Sequence, residues 1–155
     1  MTGAPVGCIA KAYYATRSNP LPQFEFSLKL HLDAGAGLNQ FTGYGEGYVA
    51  INGERRTASL IVMPREPVAD WPPARFEDLA AAHFVALAAR ELEIVLLGTG
   101  ARLRFPHPEV VRPLIEARIG VEVMDVQAAC RTYNILVAEG RKVAAALVLD
   151  ARAAA

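Results

Sequence analysis

The chain of 155 residues has only two cysteines, Cys8 and Cys130, far apart and in no CxxC pair. Two such thiols neither build a disulfide framework nor supply paired metal or redox ligands, so a reducing compartment is expected. Net charge is missing as well. Sixteen basic residues balance sixteen acidic ones, with no Lys/Arg cluster, which argues against nucleic acid as a partner. Long apolar runs are absent: stretches such as 59–63 and 94–97 fall far short of the ~20 residues that span a bilayer, so no transmembrane segment is expected. Residues 1–27 lack the continuous apolar core of a signal peptide and the Arg and Ser richness of an organellar presequence. The three histidines, His31, His83 and His107, are too scattered for metal-ligand spacing. No GxSxG elbow, HExxH helix or Walker lysine occurs, and no acidic pair stands at helical spacing in a plausible cleft. The expectation is therefore no catalytic residue, no metal and no cofactor, which leans away from an enzyme.

What is present suits a compact domain. The chain is 53% hydrophobic and 21% charged. A domain of this size buries roughly two-thirds of the surface its unfolded chain exposes. Only three of the sixteen basic residues are lysine and alanine is abundant, a bias of GC-rich genomes that suggests a bacterial source; with the cysteine usage and no address signal, a cytoplasmic location is expected. Phe24, Phe26, Leu28, Leu30 and Leu32 alternate with polar residues, the period of a strand with one buried face. Such a strand at a sheet rim would leave self-association open. The glycine-studded stretch 35–47 reads as a connection. Asn52-Gly53 is a strong hairpin signal between residues 48–51 and 56–63, because a type I′ turn needs positive φ at both central positions.

Past the prolines around Trp71, residues 76, 79, 80, 84, 87 and 88 repeat at i, i+3, i+4 spacing and predict a helix over about 75–90. The apolar run 94–97 predicts a strand covered on both faces. A helix over about 108–118 with Pro108 in its first turn and Gly120 as its left-handed cap follows, then a strand over 121–124. Asp125 can cap a helix over about 126–139, Gly140 can end it, and residues 143–149 form the last strand. The order predicts a single mixed α/β domain over 28–149, with crossovers long enough for parallel strands and a frayed tail at 150–155.

Two constellations invite a site. Gly43-Tyr44-Gly45-Glu46-Gly47 precedes a strand and so lacks the helix N-terminus that makes a glycine loop a phosphate cradle; a structural turn is expected. Gly98-Thr99-Gly100 leaves the carboxyl end of a buried strand, where open α/β sheets hold their crevice, with Arg102 and Arg104 just beyond. On the helix over 126–139, Cys130 shares the apolar face, whereas Arg131 and Asn134 lie on another. Gly98, Thr99, Gly100, Arg102, Arg131 and Asn134 are the candidate ligand or partner contacts. A backbone-shaping role for the loop is the competing reading.

The order of motifs resembles a known family. It runs from Lys29-Leu30-His31-Leu32-Asp33 through Tyr48-Val49-Ala50-Ile51-Asn52-Gly53 and Gly98-Thr99-Gly100, then Val121-Glu122-Val123, Ala129-Cys130-Arg131-Thr132-Tyr133-Asn134 and Glu139-Gly140-Arg141. It is similar to the small α/β family of bacteria and archaea that includes the mitochondrial complex I assembly factor 3. The resemblance implies a three-layer fold with two β layers and one helical layer. It also implies a non-enzymatic binding or assembly role through protein contacts for a respiratory or membrane complex, with any membrane association peripheral and through a partner. It carries over no catalytic residue. Residues 1–27 depart from the family pattern and read as an extension from an upstream start, although the strand alternation reaches back to Phe24. The alternative to an assembly role is a small-molecule or anion-binding enzyme or sensor at the Gly98-Thr99-Gly100 crevice.

Overall fold

Residues 143–149 are buried without exception, which in a strand requires cover on both faces. A computed structural model describes residues 37–150, and in it this segment is the centre of the fold. Strand β8 (Val143–Leu147) is the middle of a five-stranded sheet ordered β5-β4-β8-β6-β7, with β4 at Leu60–Val62, β5 at Ala69–Asp70, β6 at Ile94–Gly98 and β7 at Gly120–Met124. β6 runs parallel to both β8 and β7, as the crossover lengths predict, whereas β4 is antiparallel to β8. The predicted strand over 94–97 is thus an interior strand. The alternating side chains of β8 divide two cores. Val143, Ala145 and Leu147 join Leu96 on one face, and Ala144 and Ala146 join Val95 and Leu97 on the other.

The first core is closed by a helix and a second sheet. Helix α3 (Val126–Ala138) buries Val126, Ala129, Cys130, Tyr133 and Val137, the face read from its periodicity. Asp125 caps it, its carboxylate accepting from the Ala128 N–H at 2.9 Å. A three-stranded sheet ordered β1-β2-β3, formed by Phe41–Gly45, Tyr48–Ile51 and Glu54–Arg56, adds Phe41, Val49 and Ile51 to this core. Asn52 and Gly53, at φ 54 and 87, make the expected hairpin turn between β2 and β3. The second core is covered by short helical pieces, including α1 (Val85–Ala88) and α2 (Arg112–Glu116), which bring in Phe84, Leu87 and Leu114. A mixed α/β arrangement in layers, with a hairpin sheet and helices packed about a central sheet, is the fold class expected.

Several details differ from the expectation, each for a physical reason. Residues 41–45 form a strand inside the stretch read as a connection, because Gly43 sits against Ala50 in the antiparallel β1-β2 pair rather than in a turn. Residues 56–63 are not one strand: the chain leaves the small sheet after Arg56 and enters the large one at Leu60, with buried Ser59 between them accepting from the Leu149 N–H through Oγ and from the Trp71 N–H through its carbonyl. The helix over 75–90 is three pieces, two 3-10 turns at Phe76–Asp78 and Ala81–Phe84 and then α1, with Leu79 and Ala80 extended. Trp71 packs against the second of these pieces. Its indole N–H donates to the His83 carbonyl and its ring meets Phe84 edge-on at 5.4 Å. The helix over 108–118 shrinks to Arg112–Glu116, with Pro113 rather than Pro108 in its first turn, and Arg118 (φ 59) rather than Gly120 takes the left-handed position. Gly120 instead opens β7. The rim strand over 24–32, the extension and the tail 151–155 lie outside the described residues.

Glu93 closes the lower end of the large sheet. Its backbone N–H donates to the Lys142 carbonyl, its carboxylate accepts from the Lys142 N–H at 2.8 Å, and Arg141 reaches it at 3.3 Å. The Lys142 N–H bond, followed by the Arg141 charge, holds this carboxyl below the usual glutamate range. A depressed value in the folded state means the stabilisation is complete above the ordinary glutamate range and is lost as pH falls through the depressed value. Glu93→Gln is therefore expected to lower Tm at neutral and alkaline pH and to flatten the acid limb of a Tm-against-pH profile, with the two profiles converging as pH falls. An unchanged acid limb would refute this role.

Candidate functional site

The Gly98-Thr99-Gly100 loop is tied down at every residue. Gly98 accepts from the Val148 N–H at 2.9 Å, the Thr99 N–H donates to the Met124 carbonyl at 2.9 Å, and Gly100 accepts from the Val126 N–H at 2.9 Å. The first bond extends the β6-β8 pairing, the second the β6-β7 pairing, and the third fixes the start of α3. Each glycine has its own cause. A Cβ on Gly98 would stand 2.6 Å from Leu147 Cδ2 and 3.3 Å from Val126 Cα, so α3 and β8 could not approach so closely. Gly100 takes φ +100, which L side chains rarely adopt.

Thr99 is fully buried, and its hydroxyl organises the segment beyond. The Oγ1 donates to the Arg102 carbonyl at 2.7 Å and accepts from the Arg104 N–H at 3.0 Å. Arg104 in turn lies 4.5 Å over the Phe76 ring and pairs with Glu77 at 2.7 Å. Removing the hydroxyl while keeping the volume leaves two backbone groups without partners, so Thr99→Val is expected to cost about 2 kcal/mol in urea unfolding and to speed amide exchange at Arg104. A change below about 0.5 kcal/mol would refute this account.

A cleft of about 240 Å³ opens beside the loop, lined in part by Gly100, Ala101, Gln127 and the β1-β2 turn at Gly45 to Gly47. Of the six residues singled out in the sequence, Gly100 lines it and Gly98, Thr99, Arg102, Arg131 and Asn134 do not. Arg102 is exposed beyond the loop. Arg131 donates to the Tyr44 hydroxyl at 3.1 Å. The Asn134 carboxamide is bidentate on β1, accepting from the Phe41 N–H at 2.9 Å and donating to the Phe41 carbonyl at 2.8 Å. Both side chains are engaged with the small sheet. Cys130 is fully buried, and desolvation pushes its thiol up to about 12, which keeps it protonated and unreactive. Among the described residues no cluster of His, Cys, Asp or Glu could hold a metal ion.

The surface beside β7 has no counterpart in the sequence reading. Phe105 is 74% exposed and Ile115, near the end of α2, 58%, and both line a groove with Val121 and Val123 of β7. A helical period places Ile115 on an apolar stripe; only the burial of Leu114 instead leaves Ile115 facing outward.

The family described as a protein of unknown function (DUF498/DUF598) matches residues 41–148, every described strand and helix included. The chain belongs to this family. All six residues singled out in the sequence lie within the match. Among its relatives, a bovine protein named NADH dehydrogenase (ubiquinone) 1 alpha subcomplex assembly factor 3 is 32% identical over 138 residues, covering 88% of this chain and 69% of the relative. A crystal structure of a Bordetella parapertussis protein is similar at 46% identity and a TM-score of 0.70, over 74% of this chain and 98% of that one. A solution structure of a Bordetella pertussis protein, described as a Mth938-like domain, is similar at 39% identity and a TM-score of 0.64, over 74% of this chain and 87% of that one. The DUF498/DUF598 family thus includes relatives named as complex I assembly factors, as the resemblance implied.

Proposed function

We propose that this DUF498/DUF598 protein is a non-enzymatic assembly module that holds a protein partner during construction of a respiratory complex. The observation that carries the reading is the likeness, over 88% of the chain, to a relative named as a complex I assembly factor. Two structural features support it. The loop with the site-like position spends its backbone groups on joining β6, β7, β8 and α3, and two large exposed apolar side chains, Phe105 and Ile115, line an open groove beside β7. A ligand in the crevice would meet Gly100, Ala101 and the start of α3, without Arg102, Arg131 or Asn134 to recognise it.

No helix among the described residues is long and apolar enough to cross a membrane, so on this reading any membrane association runs through the partner. The test is gentle affinity purification of the full chain from its own organism, combined with native gels of the respiratory complexes after gene deletion. A respiratory-complex subunit is expected to co-purify, and the assembled complex to decline on deletion. Recovery of the protein alone, with the complex unchanged, overturns the proposal.

A further inference from the structure

Among the described residues β7 pairs only with β6 and forms one edge of the large sheet. Its bonding shows which groups are free. The Gly120 N–H donates to the Glu93 carbonyl, and the Met124 carbonyl accepts from the Thr99 N–H, so these residues turn their backbone groups toward β6. Alternation along a parallel strand then turns the N–H and C=O of Val121 and Val123 outward. The five-residue register with β6 is unbroken, with no bulge and no proline, the usual devices that blunt an edge. Beside this edge a shallow groove of about 560 Å³ is lined by Phe105, Ile115, Arg118, Val121 and Val123 among others. A strand laid against β7 would send alternate side chains into it.

Charge selects the occupant. Glu122 is exposed at the centre of β7, and Val121 and Val123, packed toward the second core, fix it on the opposite face. A second copy pairing antiparallel about the strand centre would set Glu122 against its own equivalent, a destabilising like-charge pair. A foreign strand with a cation there meets no such penalty. Arg118 is the groove's charged residue and suits an acid at the far end.

We propose that β7 accepts, as a sixth antiparallel strand, an extended segment of a partner protein with two apolar residues and then an acid at every second position and a basic residue between the apolar pair. Main-chain bonds to Val121 and Val123 supply affinity, and the groove and Glu122 supply specificity. The inference rests on the assembly reading above and names the partner's chemistry and its docking surface.

The experiment uses the full chain and a capped synthetic peptide carrying Val-Lys-Val-Thr-Asp. In the free chain the Val121 and Val123 amides are expected to exchange rapidly and to slow when peptide is added. Val123→Pro removes an outward N–H without touching the β6 ladder, and Phe105→Ser removes an exposed ring; each is expected to weaken peptide binding about tenfold. Glu122→Lys weakens it about threefold, and a peptide with glutamate in place of lysine restores binding to that variant. Slow exchange in the free chain, no binding by the wild-type chain, or equal binding by Val123→Pro and Phe105→Ser each overturns the surface. None of these would touch co-purification with a respiratory subunit. Peptide binding by a chain that co-purifies with no such subunit would uphold the surface and refute the assembly role.

Discussion

Tyr133→Ala is expected to destabilise the protein by about 4 kcal/mol, the range for deleting a large aromatic ring from a packed core. Tyr133 is fully buried near the middle of α3, and its ring meets Phe41 edge-on with centroids 5.1 Å apart. Its hydroxyl donates to the Asn39 carbonyl at 3.1 Å, tying the helix to the residues that lead into β1. The substitution therefore opens a cavity, loses an aromatic pair and strands a carbonyl at once. Tyr133→Phe separates these contributions, because it keeps the ring and removes only the hydroxyl, and should cost about 1 kcal/mol. Urea unfolding of both variants decides the matter. Near-equal losses would show that the hydroxyl, and not the packing, holds α3 to the small sheet.

Asn134→Leu is expected to cost about 3 kcal/mol, more than its partial exposure suggests. Among the described residues β1 is an edge strand, and the Asn134 carboxamide pairs with both backbone groups of Phe41 as a neighbouring strand would. Leucine fills similar space but leaves one N–H and one C=O without partners at a part-buried position, each costing about 1–3 kcal/mol. The loss should be local as well as global. Amide exchange should accelerate at Phe41 and its β2 partner Ile51 while the β6 and β8 amides keep their protection. Uniform acceleration across both sheets would mean that Asn134 supports the whole fold rather than the attachment of one sheet to α3.

Asn134 illustrates how a sequence can point at a residue without disclosing its task. A polar side chain off the apolar face of a helix reads as an available contact. Its actual partner, Phe41, is 93 positions away and lies on a strand hidden among glycines. Arg131 is the same case, spent on Tyr44 across 87 positions. Leu103, Phe105 and Ile115 form the converse. Composition counts them as core material, and only the fold shows that they stay outside while Leu114 and Val111 are buried.

Features governed by near neighbours were determined by the sequence alone: the Asn52-Gly53 turn, the Asp125 cap, the apolar face of α3 and the interior strand at residues 94–98. Each depends on φ preference, a side chain three residues from its target, or a short period of apolar positions. The motif order also led to the correct family. The tertiary structure alone decided that residues 41–45 pair as a strand, that the chain changes sheets between Arg56 and Leu60, and that the helix expected over 75–90 falls into three short pieces. It also decided where the backbone groups of the Gly98-Thr99-Gly100 loop are bonded. Only with Val126, Leu147 and Met124 in place does it become evident what crowds Gly98 and where the loop's backbone groups are spent, because those neighbours come from elements 25 to 50 residues further along the chain.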